Sequence, residues 1–499
     1  MSEACGNPSL QTDALMDRRP KYDKNKLCIK CKVNSGNVVI RHAVYCKECF
    51  PTMLITKVKR SLDPHINATP DVPRRKALKA SGNLLVGFSG GLGSTVVLDI
   101  VSRIYFPDSE GAKNAEEKLK GGKSHPRNRL VWEKATVCYV EVCNTFPETK
   151  DRTEEIREVV ESYKSFEFIH LRLEDAFDEQ WWEKVDGTPT GDLGIDPSNE
   201  ALLMSELSNE ETDPVQRLRS YISALPTPTA IPSAIQTLVR LLLLHTARTT
   251  GSSHLLLGTN LTSLSISLIS SISQGGGFTV REESFEEWTP SRSGNGPATV
   301  RVNRPLQDIT LKECAVWAWW NELRVVGRDK FTGGKQGIGA LTRDFIVGLE
   351  RDYPSTVSAI ARTCSKLAPK FVADGACALC QRPLQRGVQE WKTRISIRST
   401  TQNEEPEVLP ASSLTPYLCY SCHTTLTSRT SRSAAITSSS SIPLPLWVHP
   451  HVRQGEDRRQ NELGNEKRPP LAGGESEVWE RRKVDAEEMK SAISGFLLE

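Results

Sequence analysis

Eight of the 13 cysteines in this 499-residue chain fall into four close pairs. The stretch "CIKCKVNSGNVVIRHAVYCKECF" supplies Cys28, Cys31, Cys46 and Cys49, with fourteen residues between Cys31 and Cys46. Each Cys-x-x-Cys pair can place two thiolates on one tetrahedral centre, and four soft anionic ligands favour zinc; an iron–sulfur centre and unligated thiols are the alternatives. So short a segment has little core of its own, and bound metal would supply folding free energy. Cys377, Cys380, Cys419 and Cys422 form a second set, with a step of 39 between its pairs. The intervening chain loops out at modest entropic cost. Four thiols complete the first site without His42; at the second, His423 is the lesser alternative to one of the thiols. Cys5, Cys138, Cys143, Cys314 and Cys364 lack ligand spacing. Cys138 and Cys314 read as simple buried cysteines; Cys143, just past a strand end, has a conceivable site-facing role.

The other chemistry-bearing stretch is "LLVGFSGGLGSTVVLDI", residues 84–100. An apolar run enters a Gly/Ser turn, Ser89-Gly90-Gly91-Leu92-Gly93-Ser94, and an apolar segment leaves it. Such a turn is either a phosphate cradle of backbone amides at a helix start or a sheet-to-helix turn that holds no nucleotide. It has neither the Rossmann spacing nor the lysine of a Walker A loop.

The elements that must position these groups follow from pattern. Residues 84–88 read as a strand and the segment from Ser94 to about Tyr105 as a helix. "ATVCYVEV" (135–142) and "FEFIHLRL" (166–173) are strands flanking a helix within 148–164. A helix near 231–248 leads to a strand at 254–260, a helix follows over 261–277, and another spans 311–323. Strand, helix, strand in this order argues for an α/β fold with a parallel sheet. The expected organisation is a flexible 1–26, a zinc module at 27–60, and an α/β domain at 61–365 with insertions at 107–130 and 186–213. A C-terminal zinc module at 366–499 would carry a polar insertion, a flexible Ser/Thr-rich segment and a terminal helix.

Net charge is only +3, but it is unevenly spread. Residues 18–80 hold 16 Lys/Arg against 4 Asp/Glu, whereas 186–213 hold 8 acids and no Lys or Arg. The basic N-terminal part suits an RNA backbone or an acidic protein, or is simply a solvated surface. Lys30, Lys32, Arg41, Lys47, Lys57, Lys59, Arg60, Arg74, Arg75 and Lys76 are the candidate phosphate contacts, which position RNA without choosing a base. "LVRLLLLHTA" (238–247) is too short for a membrane span and is interrupted by Arg240. With no apolar signal core at the N-terminus, a soluble cytoplasmic protein is expected, whose cysteines are not disulfides.

The Gly/Ser turn resembles the pyrophosphate loop of the N-type ATP pyrophosphatases (PP-loop proteins), Ser-Gly-Gly-x-Asp-Ser, with Gly93 standing where that family has Asp. Together with the two cysteine sets and "RPLQDITLKEC" (304–314), it resembles the cytoplasmic tRNA 2-thiolation proteins, the protein 2 family in particular, over about residues 27–425. The resemblance implies a parallel-sheet PP-loop domain flanked by zinc modules with two structural Zn2+ ions. Ser89, Gly90, Gly91, Gly93 and Ser94 would be a residual phosphate cradle. It also implies a role in 2-thiolation of wobble uridine-34. The implied partners are tRNA, the thiolation protein 1 subunit and a thiocarboxylated ubiquitin-like sulfur carrier, with no membrane.

Where the family expects a cysteine motif before the helix at 231–248, this chain has none. Gly258-Thr259-Asn260-Leu261-Thr262-Ser263 replaces a motif like Gly-His-Asn-x-Asp-Asp, and Ser265, Ser267 and Ser270 offer no thiol. These departures leave no confident catalytic residue and disfavour ATP/Mg2+ use, so a non-catalytic subunit is the leading expectation. The alternatives are an active ATP-dependent tRNA sulfurtransferase using Cys143 or Cys314, and a zinc-containing scaffold without RNA contact.

Overall fold

A computed structural model describes residues 26–40, 43–66, 82–107, 131–146, 149–186, 191–198, 201–207, 213–290, 299–327, 337–367, 373, 375–385, 387–388, 412–428 and 441–464. A short antiparallel hairpin, β1 (Val38–Ile40) and β2 (Ala43–Tyr45), leads into α1 (Cys49–Leu62). Phe50, Leu54, Val58 and Leu62 are fully buried along one face of α1, the i, i+4 stripe of an amphipathic helix.

The central domain begins with β3 (Asn83–Gly87), α2 (Leu92–Tyr105), β4 (Ala135–Glu141), α3 (Thr153–Glu161) and β5 (Glu167–Arg172). After α4 (Glu179–Asp186) come two three-residue strands, β6 (Leu193–Ile195) and β7 (Met204–Glu206). The helices α5 (Pro214–Ser223) and α6 (Ala230–Thr249) lead back to the sheet at β8 (Ser252–Leu257). Then follow α7 (Leu261–Ser273), β9 (Glu286–Trp288), β10 (Val300–Asn303) and α8 (Leu311–Trp320). The described chain continues through α9 (Ile338–Asp352), α10 (Pro354–Cys364), α11 (Tyr420–Thr427), β11 (Ile442–Pro443) and α12 (Val448–Gly464).

The main sheet has the order β5-β4-β3-β8-β10-β9; every neighbouring pair is parallel except the antiparallel β9–β10 edge. Helices cover both faces, which is why β3 and β4 read as nearly continuous apolar runs. One core holds α1, α2, α3 and α8 residues such as Leu54, Val97, Ile156 and Trp317. The opposite core holds α5 and α6 residues such as Tyr221, Leu238 and Leu242, with the second cysteine set inside it. The fold is therefore the α/β, mostly parallel architecture the sequence announces.

The acidic stretch 186–213 does more than interrupt the sheet. β6 pairs with β7 and with β11 in a small antiparallel sheet. Ile195 and Leu202 are fully buried there, and Asp192 pairs with Arg217 at 2.6 Å. Among the described residues, α6 is long and apolar enough to cross a membrane, but its Leu241, Leu242 and Leu244 lie in the protein core. The Ser/Thr-rich 429–440, the polar 108–130 and the expected terminal helix lie outside the described residues.

Candidate nucleotide crevice and metal centres

The strand order places one crevice. From β3 the chain moves outward to β4 and β5, then returns to β8 on the other side of β3. Ligands of open α/β sheets bind where such a reversal occurs, at the carboxyl ends of the strands. Here the reversal lies between the turn after β3 and the turn after β8, Gly258–Asn260.

The turn after β3 is a tight loop that leads straight into a helix start. Gly90 has φ of +68°, a left-handed conformation that favours glycine. Gly91 is the extended N-cap of α2, whose first amides have no partner within the helix. Ser94, 5% exposed, turns its hydroxyl inward: it donates to the Gly91 carbonyl at 2.9 Å and lies 3.3 Å from both the Ser89 amide and hydroxyl. The Ser94 hydroxyl thus braces the loop. A strap from the chain after α8 also reaches it, with the Gly327 amide donating to the Gly90 carbonyl at 3.0 Å.

The acid-free position is tightly packed. A Cβ on Gly93 would stand 2.0 Å from the Gly258 carbonyl oxygen, and one on Gly258 would stand 2.3 Å from the Ser94 amide nitrogen. The two turns meet backbone to backbone, so position 93 has no space for a side chain. Asn260 is buried and caps α7, accepting from the Ser263 amide at 2.9 Å.

The neighbouring strand end carries Glu141, a buried carboxylate that the motif search does not find. It accepts from the amides of Val142 (2.7 Å), Cys143 (3.0 Å) and Arg152 (2.8 Å), and from the Tyr139 hydroxyl (2.9 Å). Four donors make it an organiser of the turn. Cys143 sits in that turn, and burial first, then the Glu141 carboxylate, pushes its thiol up. Cys138 and Cys314 are fully buried, and burial drives both thiols far above the usual range. All three are pushed away from the thiolate form.

Both cysteine sets assemble. Within each set the four sulfurs lie within 4.8 Å of one another. Cys31 and Cys46 are 3.9 Å apart and Cys380 and Cys419 3.8 Å, against about 3.8 Å between ligands of a tetrahedral ion with metal–sulfur bonds near 2.3 Å. A four-iron cluster would put its thiolates on separate irons and hold them further apart. The donor sets therefore fit a single ion each.

The two sets share one local design. The first pair lies on a tight turn: the Lys32 amide donates to the Cys28 carbonyl at 2.8 Å, and the Gln381 amide to the Cys377 carbonyl at 2.7 Å. Lys32 and Gln381 both take the left-handed conformation, with φ of 59° and 55°. The second pair lies at a helix start: Cys49 opens α1, and Cys419 caps α11. In the first set burial pushes Cys28 up, but the backbone amides of Cys31, Cys46 and Lys30 outweigh it and hold the thiol down at about 6. Burial, followed by hydrogen bonding with its partner thiols, pushes Cys49 to about 12. Metal binding would remove the remaining protons.

Of the candidate RNA contacts, Lys30, Lys32, Lys47, Lys59 and Arg60 are exposed. Lys57 is not available: its Nζ pairs with Glu313 at 2.5 Å, and Glu313 is fully buried in the capping box of α8. Arg41, Arg74, Arg75 and Lys76 lie outside the described residues.

With this geometry in view, the relatives fall in line. The family model described as "Cytoplasmic tRNA 2-thiolation protein 2" matches residues 337–424, from the start of α9 through the second cysteine set. Cytoplasmic tRNA 2-thiolation protein 2-B of Xenopus laevis is 25% identical over 401 residues, 74% of either chain. The protein 2 of Pyrenophora tritici-repentis is 24% identical over 376 residues, covering 73% of this chain and 86% of its own. The chain is similar to the cytoplasmic tRNA 2-thiolation protein 2 family. Homo sapiens protein 2, at 26% identity over 396 residues, covers 72% of this chain and 70% of its own. Among solved structures, the U34-tRNA thiolase NcsA from Methanococcus maripaludis with its [4Fe-4S] cluster superposes with a TM-score of 0.42 at 16% identity, over 68% of this chain and 88% of that one.

Proposed function

We propose that this chain is the non-catalytic subunit of a heterodimer that 2-thiolates wobble uridine-34 of cytoplasmic tRNAs. Its partner would be the thiolation protein 1 subunit, and the sulfur would come from a thiocarboxylated ubiquitin-like carrier. The observation that carries the reading is the closed contact of Gly93 and Gly258 at the switch point, which leaves no room for the class's carboxylate. Adenylating a uridine requires phosphate and a cation held at low reorganisation cost; the turns 89–94 and 258–263 offer no acid, and the carboxylate of Glu141 is already taken by four donors. Sulfur transfer requires an accessible thiolate, and Cys138, Cys143 and Cys314 are all driven toward the thiol.

The eight clustered cysteines would hold two structural Zn2+ ions, which supply no step of the reaction. The exposed Lys30, Lys32 and Lys47 of the first module would meet the tRNA backbone. These roles would be carried out in the cytoplasm, the compartment in the names of its relatives.

The test is reconstitution with and without this chain, measuring partner binding, ATP hydrolysis and tRNA thiolation together. Expected are complex formation and thiolation that depends on the chain, with no ATP turnover by the chain alone. ATP turnover by the isolated chain, with thiolation lost on Cys143→Ala, would instead establish an active sulfurtransferase. Failure to join the partner or to alter thiolation would sink the subunit assignment.

A further inference from the structure

The second cysteine set is surrounded by charges that ordinary core packing does not require. Arg240, in the middle of α6, has a side chain only 10% exposed; it pairs with Glu286 of β9 and donates to the Cys380 carbonyl. Arg382, two residues past Cys380, pairs with Glu283. Arg304, directly after β10, is 6% exposed, and its Nη1 has no hydrogen-bond partner, nor does Oε2 of Glu286. Arg240, Arg304 and Arg382 act on the same carboxylates, Glu283 and Glu286, and Arg382 also feels Cys380. Two tryptophans close the arrangement: Trp288 Nε1 donates to Gln381 Oε1 at 2.8 Å, and Trp447 Nε1 to the Leu379 carbonyl at 3.1 Å.

Four thiolates on a dication leave a net negative centre. Placed in a core without compensation, such a charge costs several kcal/mol. Guanidinium groups near it offset that cost, and Arg240 and Arg382 also hold β9 and the segment just before it through Glu286 and Glu283. The first set has a different setting: Cys31 and Cys49 are only half-buried, and Asn34 lies 3.9 Å from Cys46 Sγ while donating to Glu48 at 2.9 Å.

We propose that Arg240 and Arg382 are positioning residues that neutralise the C-terminal four-thiolate centre and tie its occupancy to the order of β9, β10 and the Arg304 turn. The N-terminal centre exchanges its metal independently. This rests on the reading that both cysteine sets hold metal. Coupling of this kind is reciprocal: loosening β9–β10 weakens the metal, and removing the metal loosens β9–β10.

The test uses the full chain loaded with Zn2+ and challenged with a chromogenic chelator. Metal release, tryptophan fluorescence and hydrogen exchange in peptides covering 286–304 are followed together. Two release phases are expected, the fast one abolished by Cys31→Ser. Arg240→Gln should accelerate the slow phase roughly tenfold or more, the usual cost of losing a group that supports metal ligands, and Arg240→Lys should recover part of it. If Arg240→Gln does not fold, the native chain decides: exchange in 286–304 must rise with the slow phase and stay unchanged through the fast one. A slow phase insensitive to both Arg240→Gln and Arg382→Gln, or slow release without added exchange in 286–304, overturns the coupling alone. A chain that takes up no Zn2+ at either set overturns the metal reading and the coupling with it.

Discussion

Gly93 and Gly258 touch backbone to backbone, so that a Cβ on the first would lie 2.0 Å from the carbonyl oxygen of the second. The space a side chain at position 93 would need is filled by the β8 turn, and both turns would have to separate to admit it.

Placing at position 93 the acid that the PP-loop resemblance calls for should for that reason fail. Gly93→Asp is expected to destabilise the fold by about 1–3 kcal/mol, the usual cost of forcing atoms into a packed site, and to confer no ATP binding. Thermal denaturation and calorimetric titration with ATP and Mg2+ check both halves. A stable variant that binds ATP would show that the turns open readily.

Metal content gives a second test. The native chain should carry about two Zn2+ ions, one for each four-cysteine set. Cys31→Ser should lose one ion with a modest drop in stability. Cys380→Ser should lose one ion with a large drop, because Cys380 sits in the same core as α6. Equal melting temperatures for the two variants would contradict this difference in setting.

Lys57 separates a structural lysine from the proposed RNA contacts. Lys57→Ala leaves the buried Glu313 carboxylate without its cation and should cost about 1–3 kcal/mol. Lys30→Ala and Lys32→Ala should leave the melting temperature unchanged and lower tRNA crosslinking in the reconstituted complex. Crosslinking through Lys57, with Lys30 and Lys32 silent, would reverse the assignment.

Acid sensitivity follows from two buried imidazoles. Burial first, then nearby cationic groups, lowers His245 to about 3. Burial also lowers His254, to about 4, against a partial rise from the His65 backbone. Below pH 6.5 the unfolded chain binds protons at both positions and the folded chain does not. Stability should be full above pH 6.5 and fall by about 1.4 kcal/mol per pH unit for each histidine down to pH 4. Denaturant titrations at pH 7.5 and 5.5 measure the slope, and His254→Gln should reduce it.

The strand–turn–helix at 84–105 and the cysteine sets were legible because their signals are local: an apolar run meeting a Gly/Ser turn, and ligand spacing within a few residues. The small sheet of β6, β7 and β11 was not. Three-residue strands in an acidic stretch carry no period, and β11 lies far along the chain. Lys57 belonged by pattern to a basic surface, because nothing in the sequence links it to Glu313, 256 residues away. The contact of Gly93 with Gly258 is equally non-local: two turns, each readable alone, gave no sign that they would close on each other.

The His65 carbonyl, just beyond α1, accepts from His254 Nε2 at 3.0 Å and from Arg301 Nη1 at 3.2 Å, while the His65 ring stacks on Phe285 at 4.5 Å. Those partners belong to two neighbouring strands and to the segment before β9, so the helix that carries Cys49 is bolted to the middle of the sheet. On the proposed reading the N-terminal module would be the fixed jaw of a caliper: a tRNA backbone gripped at its tip would stand at a set span from the sheet, held by the same His65 contacts.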